Sequence, residues 1–466
     1  MLKINKSLVI LITIIFLGIF YRLYHANFDD YWFDEFFGFW ISDPQINFKD
    51  SLERILGPGW GVNILFDFIL KYFYVFFGYY PENGRYFTVF ISSLSIPLIT
   101  FLSYQIDKTK SYLLTAFLSS HCWYLISYSQ EVRGYSLGFL LSILSFIIFL
   151  FIIKSKTQNI NKNIYLSLVY FLINLLGLIN HIFFGLVVLS HFIFIFNFND
   201  QKQKFKILLT NYIFLGAVYL VIMFPVLIKN LSANIFWIPQ VDLEFFISYF
   251  FPRFFGSKIM GYIYLITLIY LIIKAKKFIF ERKSTYQLLF ILLVSSYIFP
   301  LFYSLFKIPI LIDRYIIFVL IPIILLISIL TFKQSTKIKN FIIIFIVLTT
   351  FGNNYLEIFK RIHSKPEFNQ SLTLISSTKT AQVKLLSNTE IDHKWLLNYL
   401  KKINYSKYKN LEFLDFNELS TDTHVWYLCY FPLNHFDCSS DEIKQNYSKI
   451  IDKTSFLVNA SLYEKK

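Results

Sequence analysis

Only 16% of this 466-residue chain is charged, and only three of its residues are cysteine. With 56% hydrophobic and 21% aromatic residues and a mean hydropathy of +0.54, too little polar surface is left for a soluble protein of ordinary composition. Three cysteines exclude a disulfide framework or a cysteine-rich metal site. Cys429 and Cys438 are read as two free thiols, pairing being the alternative in an extracytoplasmic domain. There is no Gly-rich phosphate loop, no His-Glu-x-x-His pair, no fixed-period repeat and no low-complexity tail beyond a Phe/Ile/Lys/Asn bias.

What is present in abundance is long apolar runs. At 17 to 22 residues per span they predict about eleven crossings, near residues 8–25, 86–105, 112–129, 136–153, 164–180, 182–198, 207–228, 259–273, 287–303, 315–332 and 341–356. The first, behind Lys3 and Lys6 with no small-residue cleavage site after it, reads as a retained signal anchor. The net charge of +15 comes from lysine clusters between the runs: Lys108/Lys110, Lys154/Lys156/Lys162, Lys202/Lys204/Lys206, Lys274 to Lys283 and Lys333/Lys337/Lys339. They occupy every second connector, so they are read as cytoplasmic loops together with the N-terminus, and no nucleic-acid partner is needed to explain the charge. The stretch 60–80 carries Asp67 and Lys71, each costing about 2.5–3.5 kcal/mol at a bilayer centre, and is read as a juxtamembrane helix.

Residues 1–356 thus form a transmembrane domain, and the composition turns mixed and polar over 357–466. Short β-rich runs (382–386, 411–416, 425–431) alternate there with helix-like ones (395–403, 441–451), which predicts a small α/β domain; an odd number of crossings places it outside the cytoplasm.

The connectors opposite the lysines hold the unusual polar residues. Asp34-Glu35 sits among aromatics after the first helix, a place where a carboxylate pair supplies a base and an orienter, or else caps a helix. Glu82 and Arg85 follow, then Tyr128-Ser129-Gln130-Glu131-Val132-Arg133-Gly134-Tyr135, where the planar fork of Arg133 suits phosphate oxygens if it is not a snorkelling interface arginine. Asn180-His181, Trp237, Arg253 and Asp313-Arg314 complete that side.

In order and spacing these segments resemble the GT-C superfamily of lipid-linked-sugar glycosyltransferases, in particular bacterial relatives of the dolichyl-phosphate-mannose protein mannosyltransferases (glycosyltransferase family 39) and the aminoarabinose transferase of lipid A. The resemblance rests on Asp34-Glu35, on Gly57-Pro58-Gly59-Trp60-Gly61 with Gly78 to Arg85, and on Tyr128 to Tyr135, which matches the family's Tyr-Ser-Gln-Glu-Ala-Arg-x-Tyr almost letter for letter. Asn180-His181-Ile182-Phe183, Phe236-Trp237-Ile238-Pro239, Asp313-Arg314-Tyr315 and Lys365-Pro366-Glu367-Phe368 are fainter echoes. A single Pro58 replaces the usual pair, and Gly134 stands where a larger residue is common.

The resemblance implies a GT-C-like α-helical polytopic membrane enzyme of a bacterial cytoplasmic membrane. It would move a sugar from a polyprenyl phosphate to an outer-face acceptor, whether glycolipid, glycan or protein, with inversion. By the match, Asp34 is the general base and Glu35 orients the acceptor or a cation. Arg133, with Arg85 and Arg314 behind it, holds the donor phosphate, and Glu131, Tyr128, Tyr135, His181 and Trp237 contact substrate. No cofactor is implied with certainty; Asp34, Glu35 and His181 are the candidate ligands if a divalent metal ion takes part. A lipid transporter or flippase, and a polysaccharide polymerase or ligase, are the competing classes; the first should show internal repeats, which are not seen.

Overall fold

The computed structural model describes residues 5–56, 63–155, 160–198, 201–231, 238, 240–242, 252–281, 283–377, 383–387, 399, 402, 411–413, 423–430 and 441–466. They fall into two compact units. The first comprises 1–24, 52–68 and 87–360, and the second 25–51, 69–86 and 361–466. In place of one boundary at 356/357, two early segments cluster with the C-terminal residues, because their side chains pack with residues beyond 361.

The first unit is helical. Every expected crossing is helical, and among the described residues seven helices are long and apolar enough to cross a membrane: Lys6–Leu23 (α1), Pro81–Ile106 (α5), Tyr135–Lys154 (α8), Lys202–Val226, Thr285–Phe306, Asp313–Phe332 and Thr336–Phe359. Ile164–Asn180 and Ile182–Ile195 are shorter apolar helices, and Lys258–Lys274 fills the expected crossing at 259–273. The helix Ile64–Phe77 (α4) has 14 residues and rises about 21 Å, short of the roughly 30 Å of a hydrocarbon core. Burial ranks the helices: 89% of the Asp313–Phe332 window is enclosed by the protein against 17% for α1, so the former is central and the latter peripheral.

The expected crossing 112–129 is two helices, Ser111–His121 (α6) and Trp123–Ser129 (α7), broken at Cys122 with ψ 114°. A break inside an apolar layer frees carbonyls that water cannot reach. Here the buried Arg22 donates from Nη2 to Ser119 O at 2.9 Å and from Nη1 to Ser120 O at 3.1 Å, and Asn354 Nδ2 donates to His121 O at 3.0 Å.

The lysine connectors gather at one end of this unit. Lys154 Nζ donates to Gln105 O at 2.6 Å, Lys204 Nζ donates to Ile153 O at 2.9 Å, and Lys333 Nζ meets Asp107 at 3.2 Å. Helix α8 runs from Tyr135 at one end to Lys154 at the other, and its 20 residues rise about 30 Å, the thickness of the hydrocarbon layer. Arg133, just before its start, is therefore a membrane's depth away from the lysines.

The second unit contains Phe33–Ile41 (α2) and a five-stranded sheet of order β2-β1-β3-β5-β4, formed by Val383–Ser387, Leu411–Phe413, His424–Tyr430, Tyr447–Ser455 and Val458–Lys465 as β1 to β5. β1 lies parallel between β2 and β3, and β5 pairs antiparallel with β3 and β4. The helix read over 441–451 ends at Asn446, and Tyr447 begins a strand, because the chain doubles back at Phe456-Leu457 into a hairpin with β5. Leu386, Val425, Tyr427, Cys429, Ile443, Tyr447 and Tyr463 form the core beside the sheet. Cys429 is disulfide-bonded, which corrects the reading of two free thiols; Cys438 lies outside the described residues, as does most of 395–403. Helix Phe48–Leu56 (α3) contributes residues to both units.

Candidate functional site

The acidic pair opens α2, at the second and third helical positions, and adjacent residues on a helix face different ways. Glu35 points inward and is wholly buried, whereas Asp34 is only half-buried. Arg85 Nε lies 3.1 Å from Glu35 Oε1 and its Nη2 3.2 Å from Oε2, while Lys365 Nζ meets Oε2 at 2.8 Å. The same carboxylate accepts from Trp32 N at 3.4 Å, tying it to the residue that precedes the helix. A buried carboxylate held by two cations at a helix N-terminus is fixed in direction.

Arg85 also bonds the backbone, donating from Nη1 to Ala26 O at 2.9 Å and from Nη2 to Asp30 O at 3.4 Å, and its guanidinium lies 4.9 Å from the Tyr31 ring centroid. At 1% exposure it offers no face to a phosphate. Its charge is paired with Glu35.

Each side chain of Lys365 to Phe368 except the proline has a place in the same unit. Lys365 pairs with Glu35, Glu367 accepts from Phe456 N at 3.1 Å in the β4–β5 turn, and Phe368 sits edge-on to Phe36 with centroids 5.4 Å apart. Upstream, Asp29 accepts from Arg361 Nη2, from Ser364 Oγ at 3.0 Å and from His363 Nδ1 at 3.1 Å. Burial alone would raise the Asp29 carboxyl, but Arg361, Lys365 and the Ser364 hydrogen bonds outweigh it and hold it below the usual carboxylate range.

In the first unit, the segment between α7 and α8 is tied down by its small polar residues. Gln130 Nε2 donates to Arg22 O at 3.0 Å and to Tyr24 O at 2.9 Å, Ser129 Oγ to Ile126 O at 2.6 Å, and Ser136 Oγ to Tyr128 O at 3.0 Å. These bonds fix Glu131, Val132 and Arg133, each no more than 8% exposed. Tyr128 and Tyr135 meet edge to face at 5.3 Å.

His181 is at the next connector, its ring 4.8 Å from that of Tyr315 and 6.3 Å from that of Tyr135. Its Nδ1 accepts from Phe183 N at 3.2 Å, so the neutral ring carries its proton on Nε2, a buried donor that meets no hydrogen-bond partner among the described residues. Burial, then Arg133, then Arg314 push the imidazole down to about 3, which keeps it neutral. Asp313, beside Arg314, is buried and lies 3.6 Å from Arg253 Nη1.

Sequence reasoning treated Asp67 only as a cost of membrane insertion. It is buried in the first turn of α4, and burial, offset in part by Arg133, raises its carboxyl to about 7. The signal available was the charge itself, in a helix too short to span. Trp237 and the Gly57 to Gly61 stretch lie outside the described residues. Among the described residues no three His, Cys, Asp or Glu side chains are grouped to hold a metal ion, and Glu35 is already saturated by cations.

No family model and no curated relative matches the chain. Solved structures do. ArnT from Cupriavidus metallidurans in the apo state aligns over 98% of this chain and 97% of its own at TM-score 0.63 and 8% identity. The same protein bound to undecaprenyl phosphate gives TM-score 0.61, 9% identity and the same coverage. The Archaeoglobus fulgidus oligosaccharyltransferase, in complex with zinc and sulfate, aligns over 84% of this chain and 61% of its own at TM-score 0.54 and 10% identity.

Proposed function

From a chain with the GT-C fold, shared from end to end with ArnT, we propose a membrane glycosyltransferase that takes its sugar from a polyprenyl phosphate and passes it to a hydroxyl of a glycolipid, glycan or protein. The observation that carries this reading is the group of the buried Arg133 and His181 with the partly buried Arg314, the two arginine charges both acting on the His181 ring and Arg133 standing a membrane's depth from the lysine connectors. Two guanidiniums, beside a neutral imidazole N–H that meets no acceptor among the described residues, suit a phosphate whose lipid tail stays in the bilayer. ArnT, of the same fold, has been solved with undecaprenyl phosphate, which supports that donor class.

In this mechanism the Asp34 carboxylate removes the proton of the acceptor hydroxyl as its oxygen bonds to the anomeric carbon. The bond from that carbon to the phosphate oxygen breaks, the electron pair leaves with the polyprenyl phosphate, and the centre inverts. Arg133, Arg314 and the Nε2–H of His181 balance the charge of the leaving phosphate. Glu35 does not touch the acceptor; with Arg85 and Lys365 it fixes the start of α2 and thereby Asp34. Tyr128 and Tyr135 offer faces for the sugar, and Glu131 a hydroxyl partner. The lysine connectors face the cytoplasm of a bacterial inner membrane.

The test is direct binding of undecaprenyl phosphate to purified protein in lipid nanodiscs. Arg133→Ala should weaken it by roughly tenfold or more, the loss of a charge-assisted phosphate contact; unchanged affinity removes Arg133 from the donor site.

A further inference from the structure

Gly134 follows Arg133 directly and caps the start of α8 with φ −66° and ψ 4°, a conformation open to any residue. Its backbone therefore does not call for glycine. Space does. A Cβ at 134 would lie 2.8 Å from the end of the Asn63 amide and 2.9 Å from Oδ1 of Asn180, closer than real Cβ atoms come. Both asparagines are buried, at 1% and 0% exposure, and Asn180 Nδ2 donates to Gly134 O at 2.9 Å.

Asn63 precedes α4, and its carbonyl accepts from Asp67 N at 3.0 Å. Its side-chain amide is satisfied at both ends when the oxygen faces Arg133, where it accepts from Nη2 at 3.0 Å and from Nε at 3.3 Å. Two adjacent donors of one guanidinium on one acceptor define the plane of the fork. The other end of that amide then turns an N–H toward the point that Asn180 Oδ1 also approaches.

We propose that Asn63 is a positioning residue that sets the direction of the Arg133 guanidinium, and that residue 134 is glycine because the Asn63 and Asn180 amides occupy the space where its side chain would begin. The inference rests on the reading of Arg133 as a phosphate ligand. Arg133 carries the charge; Asn63 holds it, and Asn180 anchors the backbone behind it. A methyl group at 134 pushes Asn63 off the guanidinium, so that Gly134→Ala and Asn63→Ala remove the same interaction.

The experiment is a double-mutant cycle over wild type, Asn63→Ala, Gly134→Ala and the double variant. Two quantities are read for each protein in nanodiscs: affinity for undecaprenyl phosphate and thermal melting. Each single variant should lose roughly tenfold in affinity, and the double should lose no more than either single, because coupled sites are not additive. In melting, Gly134→Ala should cost less in the Asn63→Ala background than in the wild type, since the clash with Asn63 is gone and only that with Asn180 remains. Additive losses in affinity, or wild-type affinity in Asn63→Ala, overturn the positioning role even if melting is coupled. A wild-type protein that binds no undecaprenyl phosphate fails the donor reading itself and takes this inference with it, whereas wild-type binding with an indifferent Asn63→Ala fails this inference alone.

Discussion

Asp67 and Arg133 show what burial does to a single charge. An isolated aspartate titrates near 3.9, and the Asp67 carboxyl is raised to about 7, so at neutral pH it is about half protonated beside the arginine. Above 7 its negative charge competes with an incoming phosphate for Arg133, and below 7 the competition is lifted. A sugar-linked donor phosphate is a diester and keeps its charge throughout this range, so any pH step in donor binding belongs to the protein. Affinity for a polyprenyl-phosphate sugar should therefore rise as pH falls from 8 to 6, and Asp67→Asn should abolish that step while binding at pH 8 at least as tightly as wild type. An identical pH profile in the two proteins would remove Asp67 from the site. Asp29 behaves in the opposite sense: its lowered folded-state value gives stability above the unfolded value near 3.9 that is lost as pH falls through the folded one.

At the scale of elements, the α6–α7 break depends on a residue nearly a hundred positions away. Arg22 caps the carbonyls of Ser119 and Ser120, and each buried carbonyl left without a donor costs about 1–3 kcal/mol. Arg22→Leu should lower the melting temperature of the purified protein well beyond the effect of Arg85→Lys, which keeps a cation on Glu35; equal melting of Arg22→Leu and wild type would show that the break needs no cap. This element also marks where sequence reading stops. Ser119-Ser120-His121-Cys122 contains neither proline nor glycine, so nothing local announced the break, and Arg22 falls inside the expected crossing 8–25. The Tyr128 to Tyr135 segment was legible because its residues match a family motif in order, although Gln130 and Gly134 find their partners far along the chain. Asn63 was not, since only the fold brings it beside Asn180 at Gly134, and the strand at Tyr447 was missed because its pattern is decided by the hairpin partner that follows.

At the scale of the whole molecule, apolar run lengths and lysine spacing carried the polytopic helical architecture, because bilayer thickness and positive charge act on every span alike. The division into units was not legible, since it depends on pairs such as Glu35 with Lys365 that are 330 positions apart. The proposed activity is attachment of a sugar with Asp34 as the base. The direct measurement is mass spectrometry of envelope glycolipids, glycans and proteins from cells that lack the chain, complemented with wild type or with Asp34→Asn at equal membrane abundance. A single sugar increment should be missing without the protein, return with wild type and stay missing with Asp34→Asn. An increment restored in full by Asp34→Asn, or no difference between cells with and without the protein, would contradict the account.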